Sequence, residues 1–279
     1  HGQRGAPALD MTGLTAAGGE RGLLGLAFSD SHAFVNYTDL DGSTVIDRYT
    51  VADDGTFVTS SRSTLLTIAQ PYANHNGGDL VFDPATRSLL VFTGDGGAGG
   101  DPERRALDTG SLLGKVLRLR NVDDVDVAAP VTPEIAAVGL RNPWRSYLDD
   151  ATDMLYIADV GQDHWEEVNV IDVASLDGVT FGWSALEGTH EYNPDQADAN
   201  SAFTYVAPRH EYEHADGRCS ISGGAVYRGT TVDAVGSWYV YADFCSGDVT
   251  AIDVLDSPGD GVRNVGNVAQ PVAVVPDAD

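Results

Sequence analysis

Short apolar runs, each bounded by turn-forming residues, recur along the whole chain and constrain its fold more than any other feature. They are separated by glycine, aspartate, asparagine and proline, whereas helical periodicity is scarce. This pattern is typical of β-strands joined by tight turns. The sequence therefore predicts an all-β protein, with strands in the runs at residues 23–28, 33–37, 44–49, 64–68, 80–82, 89–92, 115–119, 155–158, 167–171, 224–227, 238–241, 249–254 and 272–275.

Three segments of the chain share one plan, namely a strand, a turn that carries aspartate, a second strand and a polar loop. They lie at residues 25–39, 79–97 and 142–161. A spacing of roughly 45–65 residues between such units matches the blades of a β-propeller, whereas a β-sandwich would need fewer and more evenly spaced strands. We therefore predict a single β-propeller domain over residues 1–279, with the shared polar loops at one end of its axis.

The charge of the chain excludes some partners and suggests an environment. A formal charge of −26 with a pI near 4.2 argues against nucleic acid or an anionic membrane as partner. No apolar run approaches the ~20 residues that a membrane span requires. Aspartate is abundant and Lys115 is the only lysine, which suits a halophilic protein because high salt screens self-repulsion. The alternative is an ordinary acidic surface that keeps the protein in solution.

A histidine and an aspartate flank two neighbouring strand-like runs. His75 precedes the run at 79–82, and Asp95 follows the run at 88–92. An antiparallel hairpin brings its outer ends together, so we expect the two residues to be neighbours at one sheet edge. A carboxylate beside an imidazole fixes its tautomer and raises its basicity, which suits a general base. The alternative is that the histidine caps a strand and the surrounding glycines merely turn the chain.

Two further polar segments are candidates for a binding site. Arg141 and Asn142 precede Pro143, which makes Asn142 extended and stiffens the turn. Such an arginine can bind a carboxylate or quinone oxygen, or stabilise developing negative charge, but it can also simply bridge acidic loops. Residues 158–169 combine carboxylates, a glycine turn and an amide, the oxygen donors that Ca²⁺ prefers, although their spacing is not that of an EF-hand.

The chain has two cysteines, Cys219 and Cys245, at the edges of strand-like runs. They are compatible with one disulfide or with two unrelated thiols. We favour the disulfide because the two loops could meet, and a disulfide would imply an oxidising compartment.

Taken together, these segments resemble the soluble sugar dehydrogenases of the glucose/sorbosone type, which depend on pyrroloquinoline quinone (PQQ). The resemblance is collinear over nearly the whole chain and runs through residues 19–28, 75–83, 93–97, 110–115, 139–144, 156–169 and 217–229. It implies a six-bladed β-propeller that holds PQQ and Ca²⁺ at the mouth of its axis.

The resemblance also implies roles for individual residues. His75 matches the family's general base, and Asp95 matches the carboxylate that orients it. Arg141 and Asn142 match residues that contact the quinone. The implied reaction is oxidation of an aldose at C1, in which His75 takes the hydroxyl proton and hydride moves from C1 to a quinone polarised by Arg141 and Ca²⁺.

Around the metal and the quinone, the resemblance is partly kept and partly lost. Gly161 and Gln162 match positions whose backbone carbonyls hold Ca²⁺. The family's quinone-binding lysine is replaced by Cys245 in the segment 243–247. This "FCSG" pattern, together with Cys219, is similar to the branch of Hedgehog-interacting-type propellers, which bind partners rather than oxidise sugars.

Several alternatives therefore stand side by side. The first and last strands expected of the closing blade are missing, which indicates a trimmed or partial chain or a natural variant with fewer blades. The favoured function is PQQ- and Ca²⁺-dependent aldose oxidation, with a soluble electron acceptor, in a secreted or periplasmic protein. The alternative is a non-catalytic Ca²⁺-binding propeller that binds a protein or glycan. Lactone or ester hydrolysis follows from analogy of fold alone. The oligomeric state is not predicted.

Overall fold

The computed structural model of the chain describes residues 7–124, 129–232, 235–254 and 261–276. Nearly all of its regular structure is β-sheet, which confirms the all-β prediction. Four sheets of four or more strands are built from these residues, together with one two-stranded hairpin. The helical elements that lie wholly within the described residues are the 3₁₀ turns Val173–Ser175 and Pro194–Gln196 and the single-turn helix α1, Ala197–Asn200.

The first and second sheets come from the amino-terminal half of the chain. The first is antiparallel, in the order β1 (Leu23–Phe28), β2 (His32–Thr38), β3 (Thr44–Val51) and β4 (Phe57–Ile68). The second runs antiparallel through β5 (Gly77–Asp83), β6 (Ser88–Thr93), β7 (Lys115–Leu119) and β8 (Glu134–Val138). Two short strands extend this second sheet in parallel beyond β8, namely β12 (Val179–Thr180) and β15 (Thr204–Tyr205).

The third and fourth sheets repeat the antiparallel plan. The third contains β9 (Pro143–Asp149), β10 (Met154–Asp159), β11 (Trp165–Asp172) and, at its outer edge, β16 (His210–Glu213). The fourth contains β17 (Ile221–Val226), β18 (Tyr239–Asp243), β19 (Asp248–Ile252) and β20 (Val262–Asn267). A separate hairpin is formed by β13 (Leu186–Glu187) and β14 (His190–Glu191).

The sheets are arranged like the blades of a propeller. Their first strands are neighbours in space, with β1 beside β5, β5 beside β9, and β9 beside β17. The predicted count of six blades is not confirmed, because the described residues form four such sheets. The predicted strand at residues 272–275 is wrong. Its backbone is held by side chains instead of a neighbouring strand, since Trp144 Nε1 donates to the Val272 carbonyl at 3.0 Å.

Separate hydrophobic clusters fill the spaces between successive sheets, and β6 shows why its sequence is a continuous apolar run. Leu89 and Val91 pack into the cluster shared with the first sheet. Leu90 and Phe92 point the other way, into the cluster shared with the third sheet. Because successive side chains of a strand point to opposite faces, a strand between two blades is apolar at every position. This packing fixes the strand ends that carry the polar loops.

Candidate functional site

A recurring aspartate arranges the polar residues at one end of the second, third and fourth sheets. Asp95 follows β6, Asp159 ends β10 and Asp243 ends β18. Each carboxylate is buried and accepts hydrogen bonds from the segment that leads into the first strand of its own sheet. Because these first strands are neighbours in space, the three buried aspartates hold the segments that precede β5, β9 and β17 close together at one end of the propeller.

In the second sheet, the aspartate pairs with the predicted base. His75 Nδ1 lies 2.8 Å from Asp95 Oδ1, which also accepts the Gly97 N–H at 2.8 Å. Trp183 Nε1 donates to the other oxygen, Oδ2, at 2.9 Å. An ionised carboxylate can only accept, so it selects the tautomer with the proton on Nδ1 and a lone pair on Nε2. The described parts of the chain offer Nε2 no hydrogen-bond partner.

The backbone around this pair is closely packed. A Cβ atom added at Gly94 would lie 2.0 Å from the His75 carbonyl oxygen, so glycine is required for the two segments to approach. His75 itself has a φ of 52°, in the left-handed region that few residues other than glycine adopt. His75 is therefore held in a backbone conformation that few residues adopt, close against the segment that carries Gly94.

In the third sheet, the aspartate holds the second predicted pair. Asp159 accepts the backbone N–H of Arg141 at 2.8 Å and that of Asn142 at 2.6 Å. Burial raises the pKa of Asp159 to about 7, although these two N–H groups act in the opposite direction. The Arg141 guanidinium is fixed by the Gln162 side-chain oxygen, at 3.2 Å from Nε and 3.1 Å from Nη2, and by the Val160 carbonyl at 2.8 Å from Nη1.

Asn142 links the second sheet to the start of the first. Its Oδ1 accepts the Gly77 N–H at 3.1 Å, and its Nδ2 donates to Glu20 Oε2 at 3.2 Å. The same Glu20 oxygen accepts the Asn76 N–H at 3.2 Å. Asn142 is thus a crosslink between three segments, and Glu20 places a carboxylate beside His75 that sequence reasoning did not identify.

The turn that carries Gly161 and Gln162 is organised by one buried carboxylate. Glu187 Oε1 accepts the backbone N–H groups of residues 162–165, at 2.7, 2.7, 2.9 and 3.2 Å in chain order. Burial would raise the pKa of Glu187, but these N–H groups together hold it below its usual value. The Gly161 N–H donates to Glu166 Oε2 at 3.3 Å. The carbonyl oxygens of Gly161 and Gln162 accept no backbone hydrogen bond from any described residue.

In the fourth sheet, the aspartate organises the two cysteines. Cys219 and Cys245 form a disulfide, which confirms that prediction. Asp243 Oδ2 accepts the N–H groups of Cys219 at 3.1 Å and Ser220 at 2.9 Å, and Oδ1 accepts those of Cys245 at 3.0 Å and Ser246 at 2.9 Å. One carboxylate thus holds both turns that the disulfide joins.

These elements surround one cavity of about 490 Å³. The structure brings five of the predicted site residues to its wall, and Asp95 lies behind His75. Of the two cysteines, Cys219 lines the cavity. The polar part of the wall includes His75, Arg141, Asn142, Gly161, Gln162, Cys219 and Glu20, and the apolar part includes Trp144 and Phe244.

Sequence reasoning missed the residues that act from behind the wall. Asp159 lies in the segment 158–169 that was considered for Ca²⁺, but its contacts with the N–H groups of Arg141 and Asn142 were not foreseen. Asp159 and Asp243 did carry a signal, because Ala-Asp ends the second strand in both sheets. Trp183 and Glu187 lie in a segment without strand periodicity, and their partners Asp95 and Gln162 are distant in sequence. A contact of this kind leaves no local pattern in a single sequence.

Two features of the described residues bear on metal ions and membranes. Within the described ranges, no group of three or more histidine, cysteine, aspartate or glutamate side chains is placed to hold a metal ion. The same ranges hold no helix with the length and apolar character needed to cross a membrane.

Comparisons with known proteins agree with this arrangement. The sequence profile of the Glucose / Sorbosone dehydrogenase family matches residues 3–263. The HIPL1 protein of Arabidopsis thaliana is 33% identical over 220 residues, covering 67% of this chain and 31% of that protein. The HIPL2 protein of the same plant is 33% identical over 231 residues, covering 70% and 32%. The chain thus spans about a third of the length of the curated relatives it matches.

Solved structures share the fold. The PQQ-bound aldose sugar dehydrogenase of Streptomyces coelicolor superposes with a TM-score of 0.70 at 23% identity, over 96% of this chain and 74% of that one. The apo-form of the soluble aldose sugar dehydrogenase of Escherichia coli gives a TM-score of 0.66 at 21% identity, over 91% and 75%. At these identities the likeness concerns the fold, while the profile match concerns the sequence itself. The chain therefore belongs to the glucose/sorbosone dehydrogenase family.

Proposed function

We propose that this protein oxidises an aldose sugar at C1, with PQQ and Ca²⁺ bound at the mouth of the propeller. The observation that carries the proposal is that the His75–Asp95 pair opens into the same cavity as Arg141 and Asn142. A base, its orienting carboxylate, a cation and an amide around one cavity suit the removal of a proton and a hydride from a hydroxyl-bearing carbon.

The proposed chemistry of the base follows from its tautomer. His75 donates its Nδ1–H to Asp95 in a hydrogen bond, so its free Nε2 accepts the C1 hydroxyl proton. Asp95 then stabilises the imidazolium that forms. The C1–H bond breaks with loss of hydride as the C1–O double bond forms, so a cyclic aldose becomes its lactone. The two electrons leave with the hydride, and the proton stays on His75 until solvent removes it.

The residues around the cavity fit the cofactors in part. A cavity of about 490 Å³ is in the size range of small-molecule sites. Arg141 and Asn142 would hold the quinone, and the carbonyls of Gly161 and Gln162, which accept no described backbone hydrogen bond, would hold Ca²⁺. When bound, the quinone supplies a two-electron acceptor and Ca²⁺ a Lewis acid beside it. The residue that does not fit is Cys245, which forms a disulfide at the position where the resemblance implies a quinone-binding lysine.

We propose that the protein works outside the cytoplasm and at high salt concentration. The disulfide supports a secreted or periplasmic location, because such bonds persist in oxidising compartments. The charge of −26 with a single lysine supports adaptation to high salt. We propose a soluble electron acceptor as the second substrate.

The test is a titration of the purified chain with PQQ in high salt, with and without Ca²⁺, followed by dye-linked turnover of aldoses. We expect Ca²⁺-dependent binding and turnover. His75→Gln should lower turnover by about 10²–10⁴-fold while quinone binding persists, because it removes the base. The matched control is His32→Gln. His32 forms an equally short 2.8 Å pair with Asp123 at the opposite, turn end of the strands, and its loss should leave turnover unchanged. Full turnover by His75→Gln would eliminate the proposed base.

A second function is favoured by one observation, namely the disulfide in place of the quinone-binding lysine. Here the propeller would bind a protein or glycan, with or without Ca²⁺, and would not oxidise it. Absence of quinone binding by a folded chain, judged by circular dichroism in the same salt, would support this function over the dehydrogenase. Binding of immobilised glycans that requires Trp144 or Phe244 at the cavity wall would then be the measurement to make.

A further inference from the structure

One buried tryptophan touches both the base pair and the cation of the site. Trp183 follows β12 in a segment outside the regular strands and is 3% exposed. Its indole Nε1–H donates to Asp95 Oδ2 at 2.9 Å, while the other oxygen of Asp95 bonds His75. The indole therefore fixes the second oxygen of the carboxylate, and with it the angle at which Asp95 meets His75.

The face of the same ring supports the arginine. The Arg141 guanidinium carbon lies 5.6 Å from the centroid of the Trp183 ring, within cation–π range. Tyr192 packs against Trp183 with a centroid separation of 4.9 Å. The indole is thus held in place by Tyr192, and both its N–H edge and its ring surface contact groups of the proposed reaction.

We propose that Trp183 is a positioning residue that couples the His75–Asp95 pair to Arg141. The inference rests on the proposed function for its kinetic consequence but not for its structural one. Without the N–H, Asp95 Oδ2 is a buried carboxylate oxygen that has lost its donor, and such groups are costly unless they reorient. Reorientation of Asp95 moves the imidazole, and loss of the ring face removes one of the contacts of Arg141, beside its hydrogen bonds to Gln162 and Val160. Misplacement of catalytic groups by about 1 Å costs on the order of 100-fold in rate.

The test is Trp183→Phe, which keeps a ring and removes the N–H. In the proton NMR spectrum of the chain without ligand, we expect the downfield His75 Nδ1–H signal to shift or to disappear by exchange. In the loaded enzyme we expect kcat to fall by about 10- to 100-fold with little change in KM, because alignment and not binding is lost. The matched control is Trp238→Phe, since Trp238 also carries an arginine over its ring, Arg263 at 4.7 Å, but lies outside the cavity.

A second measurement decides the question if Trp183→Phe does not fold. In a protein with ¹⁵N-labelled tryptophan, His75→Gln and Arg141→Lys should each shift the indole N–H resonance of Trp183 and leave that of Trp238 in place. The inference would be overturned if the His75 Nδ1–H signal is unchanged in Trp183→Phe. It would also be overturned if neither His75→Gln nor Arg141→Lys shifts the indole N–H resonance of Trp183. If the wild type shows no turnover, the proposed function fails, while the NMR measurements still decide whether Trp183 couples the two groups.

Discussion

The third and fourth sheets present residues to the same cavity with the same backbone device, yet the two walls differ in chemistry. In the third sheet, Asp159 accepts the N–H groups of Arg141 and Asn142, whose side chains face the cavity. In the fourth sheet, the equivalent Asp243 accepts the N–H groups that flank the disulfide. One wall therefore offers a cation and an amide, and the other offers a neutral surface that is fixed by a covalent bond.

The two aspartates also differ in how well their charge is compensated. Asp159 accepts two backbone N–H groups, and burial raises its pKa to about 7. Asp243 accepts six hydrogen bonds, four from backbone N–H groups and two from the hydroxyls of Tyr212 and Ser246. Buried carboxylates are tolerated when their oxygens are saturated in this way. The difference indicates that Asp243 contributes more to the stability of its wall than Asp159 does.

The largest expected effect tests this difference. Asp243→Ala should lower the free energy of unfolding by about 4 kcal/mol, because several hydrogen-bond donors lose their acceptor at once. Asp159→Ala should lower it by about 2 kcal/mol, because only two donors lose theirs. Urea unfolding in the same salt measures both, with the exposed Asp41→Ala as control. Equal losses for the two variants would contradict the larger contribution of Asp243.

This contrast also shows what a single sequence can reveal. The strand β7 was predicted with its observed bounds, because its apolar residues Val116, Leu117 and Leu119 are fully buried and form a short run that begins just after Gly114. The neighbouring β8 and the exposed β20 were missed, since the first contains two alanines, which favour strands only weakly, and the second lacks an apolar pattern. Their existence depends on the sheets they join rather than on their own composition.

The residues of the site likewise divide into those that the sequence indicated and those that it did not. The proximity of His75 and Asp95 followed from hairpin geometry, and the structure brings their side chains to hydrogen-bonding distance. Arg141 and Cys245 stood out in the sequence itself, and the family resemblance added the expectation that both positions face the quinone. Trp183 could not have been found, because its bond to Asp95 spans 88 residues. Such a contact arises from the packing of segments that carry no local signal.

The second prediction concerns the covalent bond of the fourth wall. The disulfide joins residues 26 apart in sequence, and closing a loop of that length stabilises the folded state by about 3.5 kcal/mol in the chain-entropy account. Changing Cys219 and Cys245 together to serine should therefore lower the free energy of unfolding by about this amount. Because Asp243 still holds both turns, we expect the shape of the cavity to survive, with amide chemical shifts of residues 161 and 162 unchanged.

The outcome that would contradict this view is a loss of structure at the third wall as well. Adding Asp243→Asn to the serine variant sharpens the test, because the carboxylate and the disulfide hold the same two turns. The two changes should then cost more together than the sum of their separate effects, since residues sharing one network are not additive.

The smallest predicted effect lies at the contact between the two sheets. His210 on β16 of the third sheet places Nε2 at 2.9 Å from the Tyr241 hydroxyl on β18 of the fourth. Burial lowers the pKa of His210 to about 4, although the carboxylate of Glu211 acts in the opposite direction. The folded state therefore keeps this imidazole neutral at pH values where the unfolded chain already binds a proton.

The sign of the pH dependence follows from that difference. Between pH 6.5, the ordinary pKa of histidine, and about 4, the unfolded chain takes up a proton that the folded chain does not. Stability is therefore full above this window and is lost as the pH falls through it, by about 2–3 kcal/mol from this group. His210→Gln should remove that part of the slope in urea unfolding measured from pH 7 to 4, whereas the exposed His190→Gln should retain it. Parallel slopes for wild type and His210→Gln would mean that protonation of this histidine does not weaken the contact, and that acid acts on the two sheets separately.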